Sequence, residues 1–206
     1  QMRLHSKTLI ASAVLAAAPM IASAESNFQT GTGSLTATAR VDFQVTIPKY
    51  LYLRVGTGTD MANNNAINLV AFSVPAANVG NGTAVAATAA SGDLGNGVVT
   101  ARVMGNGGNV TLSSTTLGPL NDGGTNTISY AQISTTAAPL TSATALAAPA
   151  LADGATTNTT VPATSGVVNR DARWTYSYLN TVTPAAGTYG GVNVNNGRVT
   201  YTAVTP

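Results

Sequence analysis

The sequence predicts an all-β fold, built as an antiparallel β-sandwich or barrel, and three observations support this prediction. Glycine, asparagine, threonine and alanine dominate the composition, whereas the helix-favouring leucine, glutamate and lysine are scarce. Clusters of glycine and asparagine, which form tight turns, recur along the chain. Short apolar or alternating runs lie between these turns, and this arrangement is typical of antiparallel strands.

Residues 1–24 have the features of a secretory signal peptide. Arg3 and Lys7 give a basic start, residues 9–18 are almost wholly apolar, and Ala22-Ser23-Ala24 matches a small-residue cleavage site. We expect cleavage after residue 24 and a secreted product. The three segments predicted are therefore the signal peptide at 1–24, an N-terminal extension at 25–48 and a β-sandwich domain at 49–206.

The chain that remains after cleavage lacks the side chains that most catalytic and metal sites require. The only histidine, His5, belongs to the signal peptide, and the sequence contains no cysteine. Zinc, copper, haem and iron–sulfur sites are built from those ligands, as are the Ser-His-Asp and Cys-His mechanisms. We predict no enzyme activity, no catalytic residue and no cofactor. A secreted hydrolase using scattered carboxylates is the weakest of the function classes considered.

Charge excludes two further classes of partner. Charged residues make up 8% of the chain, and loss of Arg3 and Lys7 leaves equal numbers of basic and acidic side chains. Binding to nucleic acid or to an anionic membrane needs a basic surface, which this composition does not supply. No apolar run after the signal peptide approaches the roughly 20 residues of a membrane span. We therefore predict neither a nucleic-acid partner nor a membrane span.

The first predicted strand, Leu35–Ile47, is unusually long. Every odd position in it is apolar and every even position is polar. An extended chain of this length spans roughly 40 Å, whereas a typical strand has about 5 to 6 residues. Pro48 has no N–H to donate and interrupts the ladder, and a second strand is predicted at 49–55.

Alternation indicates one buried face but not which core buries it. In one interpretation Leu35–Ile47 is the first strand of the chain's own sandwich and kinks at Pro48, and composition alone favours this reading. In the other, the segment adds as a strand to a groove in a neighbouring subunit.

The rest of the chain is predicted as short strands and one long connection. The segment 137–165 is rich in alanine, threonine and proline, and we expect a surface excursion there, with the option of a short helix near 143–148. The further predicted strands are 98–104, 110–112, 128–133, 172–179 and 198–204.

Trp174, Tyr176 and Tyr178 alternate on one predicted strand face. An exposed strip of this kind would stack on sugar rings, as in a carbohydrate-binding domain. The favoured interpretation is that the three rings are core residues, because the chain has few other bulky side chains from which to build a core.

Aspartates near the glycine and asparagine turns raise the question of calcium. A calcium site needs several carboxylates and carbonyls at one point, whereas these acids lie one per loop and in no D-x-D-x-D-G run. We therefore predict no metal site. The aspartates are Asp60, Asp93, Asp122, Asp153 and Asp171.

Both ends of the chain resemble the major pilins of the alpha (class 5) chaperone–usher fimbriae, or a related exported bacterial pilin-like family. At the N-terminus the resemblance rests on the alternating segment Leu35–Ile47, followed by Pro48 and a second strand. At the C-terminus it rests on the Gly187-x-Tyr189-x-Gly191 pattern that leads into the last predicted strand. The absence of cysteine agrees with it.

The resemblance implies an incomplete immunoglobulin-like sandwich whose N-terminal strand completes the next subunit. It further implies a homopolymeric fimbria at the bacterial cell surface, with a periplasmic chaperone and an outer-membrane usher as partners. The alternative is a monomeric secreted carbohydrate-binding or adhesin domain that uses Trp174, Tyr176 and Tyr178. The residues implied as the donor strand are Leu35, Ala37, Ala39, Val41, Phe43, Val45 and Ile47.

Overall fold

The computed structural model describes residues 25–206, and the predicted signal peptide lies outside the described residues. The chain divides into two units, residues 1–47 and residues 48–206. In the described part of the first unit, residues 25–47, no residue belongs to a helix or strand and every residue is exposed.

The interpretation of Leu35–Ile47 as a strand of the chain's own sheets is wrong. The structure pairs none of these residues with any strand within residues 25–206. A strand needs a neighbour to satisfy its backbone groups, and alternation in the sequence does not supply one. The apolar side of the segment therefore lies in solvent.

The second unit is all-β and antiparallel, which confirms the predicted class. Its two helical turns are 3₁₀ turns at Ala76–Asn78 and Tyr130–Gln132. The ten strands in chain order are β1 Leu51–Val55, β2 Val85–Ala86, β3 Val98–Gly105, β4 Val110–Thr115, β5 Leu120–Asn121, β6 Thr127–Ile128, β7 Ile133–Ala138, β8 Thr156–Val161, β9 Val168–Tyr178 and β10 Thr200–Val204.

The strands form two main sheets and a small hairpin. The five-stranded sheet has β1, β3 and β9 side by side, with β2 and β7 both paired to β9. The three-stranded sheet has the order β10-β4-β8, and β5 pairs with β6. All pairings are antiparallel, and the strand registers place Leu53 opposite Val103 and Leu112 opposite Thr159.

The two main sheets bury one shared core. Alternate residues of β3 and β9 face it from the five-stranded sheet, and alternate residues of β4 face it from the three-stranded sheet, as expected of strands with one buried side. Trp174 is its largest fully buried side chain. The core residues are Val99, Ala101, Val103, Val110, Leu112, Leu146, Val161, Val168, Ala172, Trp174 and Tyr176.

The segment 137–165 differs from the expected surface excursion, and the helix considered near 143–148 is absent. Leu146, only 1% exposed, enters the core instead. Its N–H donates to the backbone oxygen of Asp171 at 3.0 Å. The later part of the segment forms β8. Burial of Leu146 in the core fixes an irregular path there in place of a helical one.

The strand predicted over 128–133 is broken by a 3₁₀ turn. The Ser129 hydroxyl accepts the N–H of Ala131 at 3.1 Å, which caps that turn and separates β6 from β7. The other predicted strands correspond to β1, β3, β4, β9 and β10 with shifted ends. No helix among residues 25–206 is long and apolar enough to cross a bilayer.

Candidate functional site

The first feature of interest is the exposed apolar side of residues 35–47. Phe43 is 91% exposed and Val45 is 83% exposed, which are extreme values for such side chains. Polar residues occupy the other side, where Arg40 forms a bidentate ion pair with Glu25 at 2.7 and 2.8 Å. This pair raises the pKa of Arg40 and lowers that of Glu25. The sequence-predicted donor residues all lie in this exposed stretch: Leu35, Ala37, Ala39, Val41, Phe43, Val45 and Ile47.

The second feature is an uncovered edge of the second unit, where β1 and β10 lie beside each other. Each strand pairs on one side only, β1 with β3 and β10 with β4, and the two share no ladder. Edge strands of this kind present unpaired N–H and C=O groups. We call this region the β1/β10 seam and define it by its inward side chains: Leu51, Leu53, Val55, Tyr201 and Ala203.

Side chains of the seam are less buried than their neighbours on inner strands. Leu53 is half-buried, whereas its cross-strand partner Val103 is completely buried. Likewise Ala203 is half-buried beside a completely buried Leu112. The core is therefore thinly covered along this edge.

The opposite edge, between β7 and β8, is covered by the chain itself. Residues 148–151 line a cleft of about 320 Å³ together with Ile133 and Thr135 of β7. On the β8 side, the Thr157 hydroxyl donates to the backbone oxygen of Ala150. The connection from β7 to β8 thus covers this edge, whereas no segment of residues 48–206 pairs with the free edges of β1 and β10.

One end of the seam is closed by the turn between β3 and β4. The Asn106 side chain donates from Nδ2 to the Pro48 backbone oxygen and accepts the Tyr50 N–H at Oδ1, both at 2.8 Å. The Asn106 N–H also donates to the Tyr50 oxygen at 3.4 Å. A side-chain amide therefore continues the β1–β3 ladder beyond its last backbone pair.

The end of β10 joins the same closure. The Thr205 hydroxyl donates to the Gly107 backbone oxygen at 2.8 Å, and the Lys49 ammonium donates to the Pro206 oxygen. A Cβ at position 107 would collide with the Lys49 stem and lie 2.7 Å from Thr205 Oγ1, so glycine permits this close approach. The start of β1 thus meets the end of β10, and the two edge strands run in opposite directions.

An aromatic cluster lies beneath the seam. Tyr201, on the edge strand, packs against Trp174 with ring centroids 5.2 Å apart and exchanges a hydrogen bond with the Tyr176 hydroxyl at 2.8 Å. The Trp174 Nε1–H donates to the Leu146 oxygen at 2.7 Å. Burial raises the pKa of Tyr201 to about 12 and that of Tyr176 well above its usual range.

These aromatic positions correct the alternative of a glycan-stacking strip. Trp174, Tyr176 and Tyr178 are 0%, 7% and 5% exposed. Stacking on a sugar requires an open ring face, and all three rings are instead packed in the interior. The core interpretation of these residues is confirmed.

A charged row on the outer face of the five-stranded sheet was not predicted. Arg54, Arg102 and Asp171 lie opposite one another on β1, β3 and β9. Arg102 pairs with Asp60 at 2.7 Å, and its guanidinium lies 3.9 Å from Asp171. The Arg102 Nε atom, although buried, has no hydrogen-bond partner within residues 25–206. Charge alternation over one strand could not reveal this row, because its members come from three strands.

Asp171 is 1% exposed and anchors the segment that follows β7. It accepts the N–H groups of Thr141 and Ser142 at 2.8 and 2.9 Å, and both hydroxyls as well. Burial by itself raises the pKa of this carboxyl, but the hydrogen bonds from Ser142 and Thr141 outweigh it and hold the pKa well below its usual range. Sequence neighbours Arg170 and Arg173 are not its partners.

The remaining loop aspartates have structural roles. Asp122 accepts the Gly124 N–H at 2.8 Å within its own turn, and Asp153 accepts the Tyr130 N–H at 2.7 Å. Within residues 25–206, no three acidic, histidine or cysteine side chains lie close enough together to hold a metal ion.

Comparison of the chain with protein-family models, with curated proteins and with solved structures found no match. The physical argument for function therefore rests on the exposed segment 35–47 and the β1/β10 seam.

Proposed function

We propose that the protein is a structural subunit of an extracellular filament, in which residues 35–47 of one copy add as a strand along the β1/β10 seam of the next. The observation that carries the proposal is that one chain contains both an exposed segment with alternating apolar residues and an uncovered apolar edge. The body is, in this proposal, an immunoglobulin-like sandwich that lacks one strand. The filament is homopolymeric and belongs to the surface of a bacterial cell.

The seam offers what an added strand requires. Its two edge strands present backbone donors and acceptors on both sides of the opening, and the inserted strand is antiparallel to one and parallel to the other. The half-buried Leu53, Val55 and Ala203 provide apolar contacts for alternate side chains of the donor.

The length of the seam selects part of the donor segment. A five-residue strand such as β1 spans about 16 Å, which accommodates about three alternate side chains. Phe43, Val45 and Ile47 are the bulkiest three consecutive ones. Burying each Val, Ile or Phe contributes about 1.5 to 3 kcal/mol, so a joint of this kind opens very slowly.

Export through the predicted signal peptide, and delivery of the subunits to the cell surface by a periplasmic chaperone and an outer-membrane usher, belong to the same proposal through the family resemblance. A chaperone would cover the seam before assembly, because an uncovered apolar edge promotes aggregation. The monomeric carbohydrate-binding alternative loses its support with the burial of Trp174.

A charge placed on the apolar side of the donor tests the proposal. Purified chain comprising residues 25–206 is expected to form fibres, seen by negative-stain microscopy and by light scattering. Phe43→Asp is expected to abolish them, because a carboxylate cannot enter an apolar groove without a partner. Gln44→Asp introduces the same charge one residue away on the polar side and is expected to leave fibres intact. Fibres that persist in the Phe43→Asp variant would exclude strand donation.

A further inference from the structure

The short stretch between the proposed donor and β1 determines which copy can receive the donor. Ile47 ends the exposed segment and Leu51 begins β1, so only residues 48–50 connect them. To enter the seam of its own copy, the segment must reverse direction within these three residues and run back along β1. To enter the seam of another copy, it needs no reversal.

The chain at 48–50 is held in the extended form. In an extended chain the C=O of one residue and the N–H of the second residue after it point to the same side. The Pro48 oxygen and the Tyr50 N–H both do so, and a single carboxamide, that of Asn106, binds both at 2.8 Å. A reversal at Lys49 would turn these two groups apart and break at least one of the bonds.

The sequence at this point also opposes a turn. Hairpin turns of two residues need a positive φ at the first loop position, and they favour glycine or asparagine there. Pro48 is fixed near −65° and cannot adopt that conformation. Lys49 and Tyr50 have side chains that make a positive φ costly. Elsewhere the chain uses glycine and asparagine at positive φ for its turns, as at Asn96-Gly97.

We propose that Asn106 is a positioning residue that selects another copy as the recipient of the donor strand, because its side chain keeps residues 48–50 from reversing into the seam of the same copy. This inference rests on the proposed function. It assigns to the turn between β3 and β4 the choice between closure of one molecule on itself and growth of a polymer.

Replacement of Asn106 with alanine tests the assignment. Asn106 does not have a positive φ, so alanine is compatible with the backbone there. Residues 25–206 are refolded at several concentrations, and the share of monomer is measured by size-exclusion chromatography with light scattering. Amide hydrogen exchange of residues 41–47 identifies monomers whose own strand occupies the seam. Asn106→Ala is expected to raise this protected, concentration-independent monomer roughly 30-fold, the factor for loss of two ordinary hydrogen bonds.

Two further variants complete the experiment. Asn109→Ala lies in the same turn and removes only a hydrogen bond to the Ala163 N–H, so it is expected to behave as the unaltered chain. Asn106→Ala combined with Pro48→Asn and Lys49→Gly supplies an Asn-Gly turn, and is expected to give mostly self-closed monomer.

The outcomes separate the two proposals. In one outcome the unaltered chain forms fibres, and Asn106→Ala and the triple variant each have the same share of protected monomer as the unaltered chain. That outcome would overturn the role of Asn106 and leave strand donation standing. Absence of fibres from the unaltered chain at every concentration would overturn strand donation, and this inference with it.

Discussion

Strand β9 and the segment 35–47 have the same alternation of apolar and polar side chains, but the structure treats them oppositely. In β9 the alternate residues Ala172, Trp174 and Tyr176 lie in the core, and neighbouring strands pair with both edges. In the segment, Phe43 is 91% exposed and no strand among residues 25–206 pairs with it. The difference shows that period-two patterning specifies a strand that needs a partner, while the partner is set by the chain's topology.

The largest expected contrast is between a buried and an exposed aromatic residue, Trp174 and Phe43. Trp174→Ala is expected to lower the free energy of unfolding by about 3 to 5 kcal/mol, because it leaves a cavity in the core. Phe43→Ala is expected to change that of the monomer by less than about 0.5 kcal/mol. Urea denaturation of monomeric chain measures both. Similar losses in the two variants would mean that the monomer already buries Phe43.

The next contrast replaces a carboxylate with its isosteric amide in each region. Asp171→Asn is expected to lower the free energy of unfolding by about 2 kcal/mol. The amide would place its own N–H donors against N–H and hydroxyl groups that donate hydrogen bonds to the carboxylate. Asp42→Asn, in the exposed segment, is expected to leave the unfolding midpoint unchanged. A small effect at Asp171 would show that the segment after β7 is not anchored by this residue.

The pH dependence of stability provides a second test of the role of Asp171. The hydrogen bonds that hold the pKa of Asp171 low in the folded state are lost on unfolding, where it returns to about 3.9. Its contribution to stability is therefore complete above about pH 4 and declines as the pH falls below that value. We expect Asp171→Asn to remove part of the acid-induced loss of stability, measured by thermal unfolding from pH 2 to pH 7. An unchanged acid profile would contradict this role.

A smaller effect is expected at the edge of the core. Tyr201→Phe removes the hydrogen bond to Tyr176 and is expected to lower the free energy of unfolding by about 1 kcal/mol.

Burial raises the pKa of Tyr201 and of Tyr130 to about 12. Since an unfolded tyrosine ionises near 10, their stabilising effect is present below about pH 10 and is lost as the pH rises toward 12. Ultraviolet titration of tyrosinate follows this, and ionisation of every tyrosine near pH 10 in folded protein would contradict it.

The smallest effect is expected at the exposed ion pair of the N-terminal segment. Glu25→Gln removes the partner of Arg40, and both side chains are largely in water. Screening by water and salt leaves such pairs with little net effect. We expect no measurable change in unfolding, in low or in high salt. A salt-dependent loss of stability in this variant would indicate that the segment has an ordered role within the monomer.

The sequence alone predicted the all-β class, because turns rich in glycine and asparagine lie at both ends of short apolar runs such as that of β3. The 3₁₀ break after Ile128 was missed, since it depends on one serine side chain capping a turn. The burial of Leu146 had a signal that could have been used, because this leucine is the only bulky apolar side chain within residues 143–148.

Of the two parts of the candidate site, only the segment 35–47, the proposed donor, was predictable. Alternation from Leu35 to Ile47 shows in the sequence, whereas the seam depends on which strands lie at the sheet edges. Leu53 and Val103 look alike in sequence, and only the strand order distinguishes the thinly covered one. The Asn106 contacts join residues 56 and 58 positions apart. No local pattern encodes contacts over that separation.

The chain has a single tryptophan, and its indole packs against a tyrosine on the edge strand of the seam. Emission from that ring depends on how nearby dipoles and water relax around it. Any event that orders or displaces β10 therefore changes the intrinsic tryptophan fluorescence, without a dye or a tag. A stopped-flow fluorimeter can therefore test, on this one chromophore, the proposed addition of a subunit to a fibre.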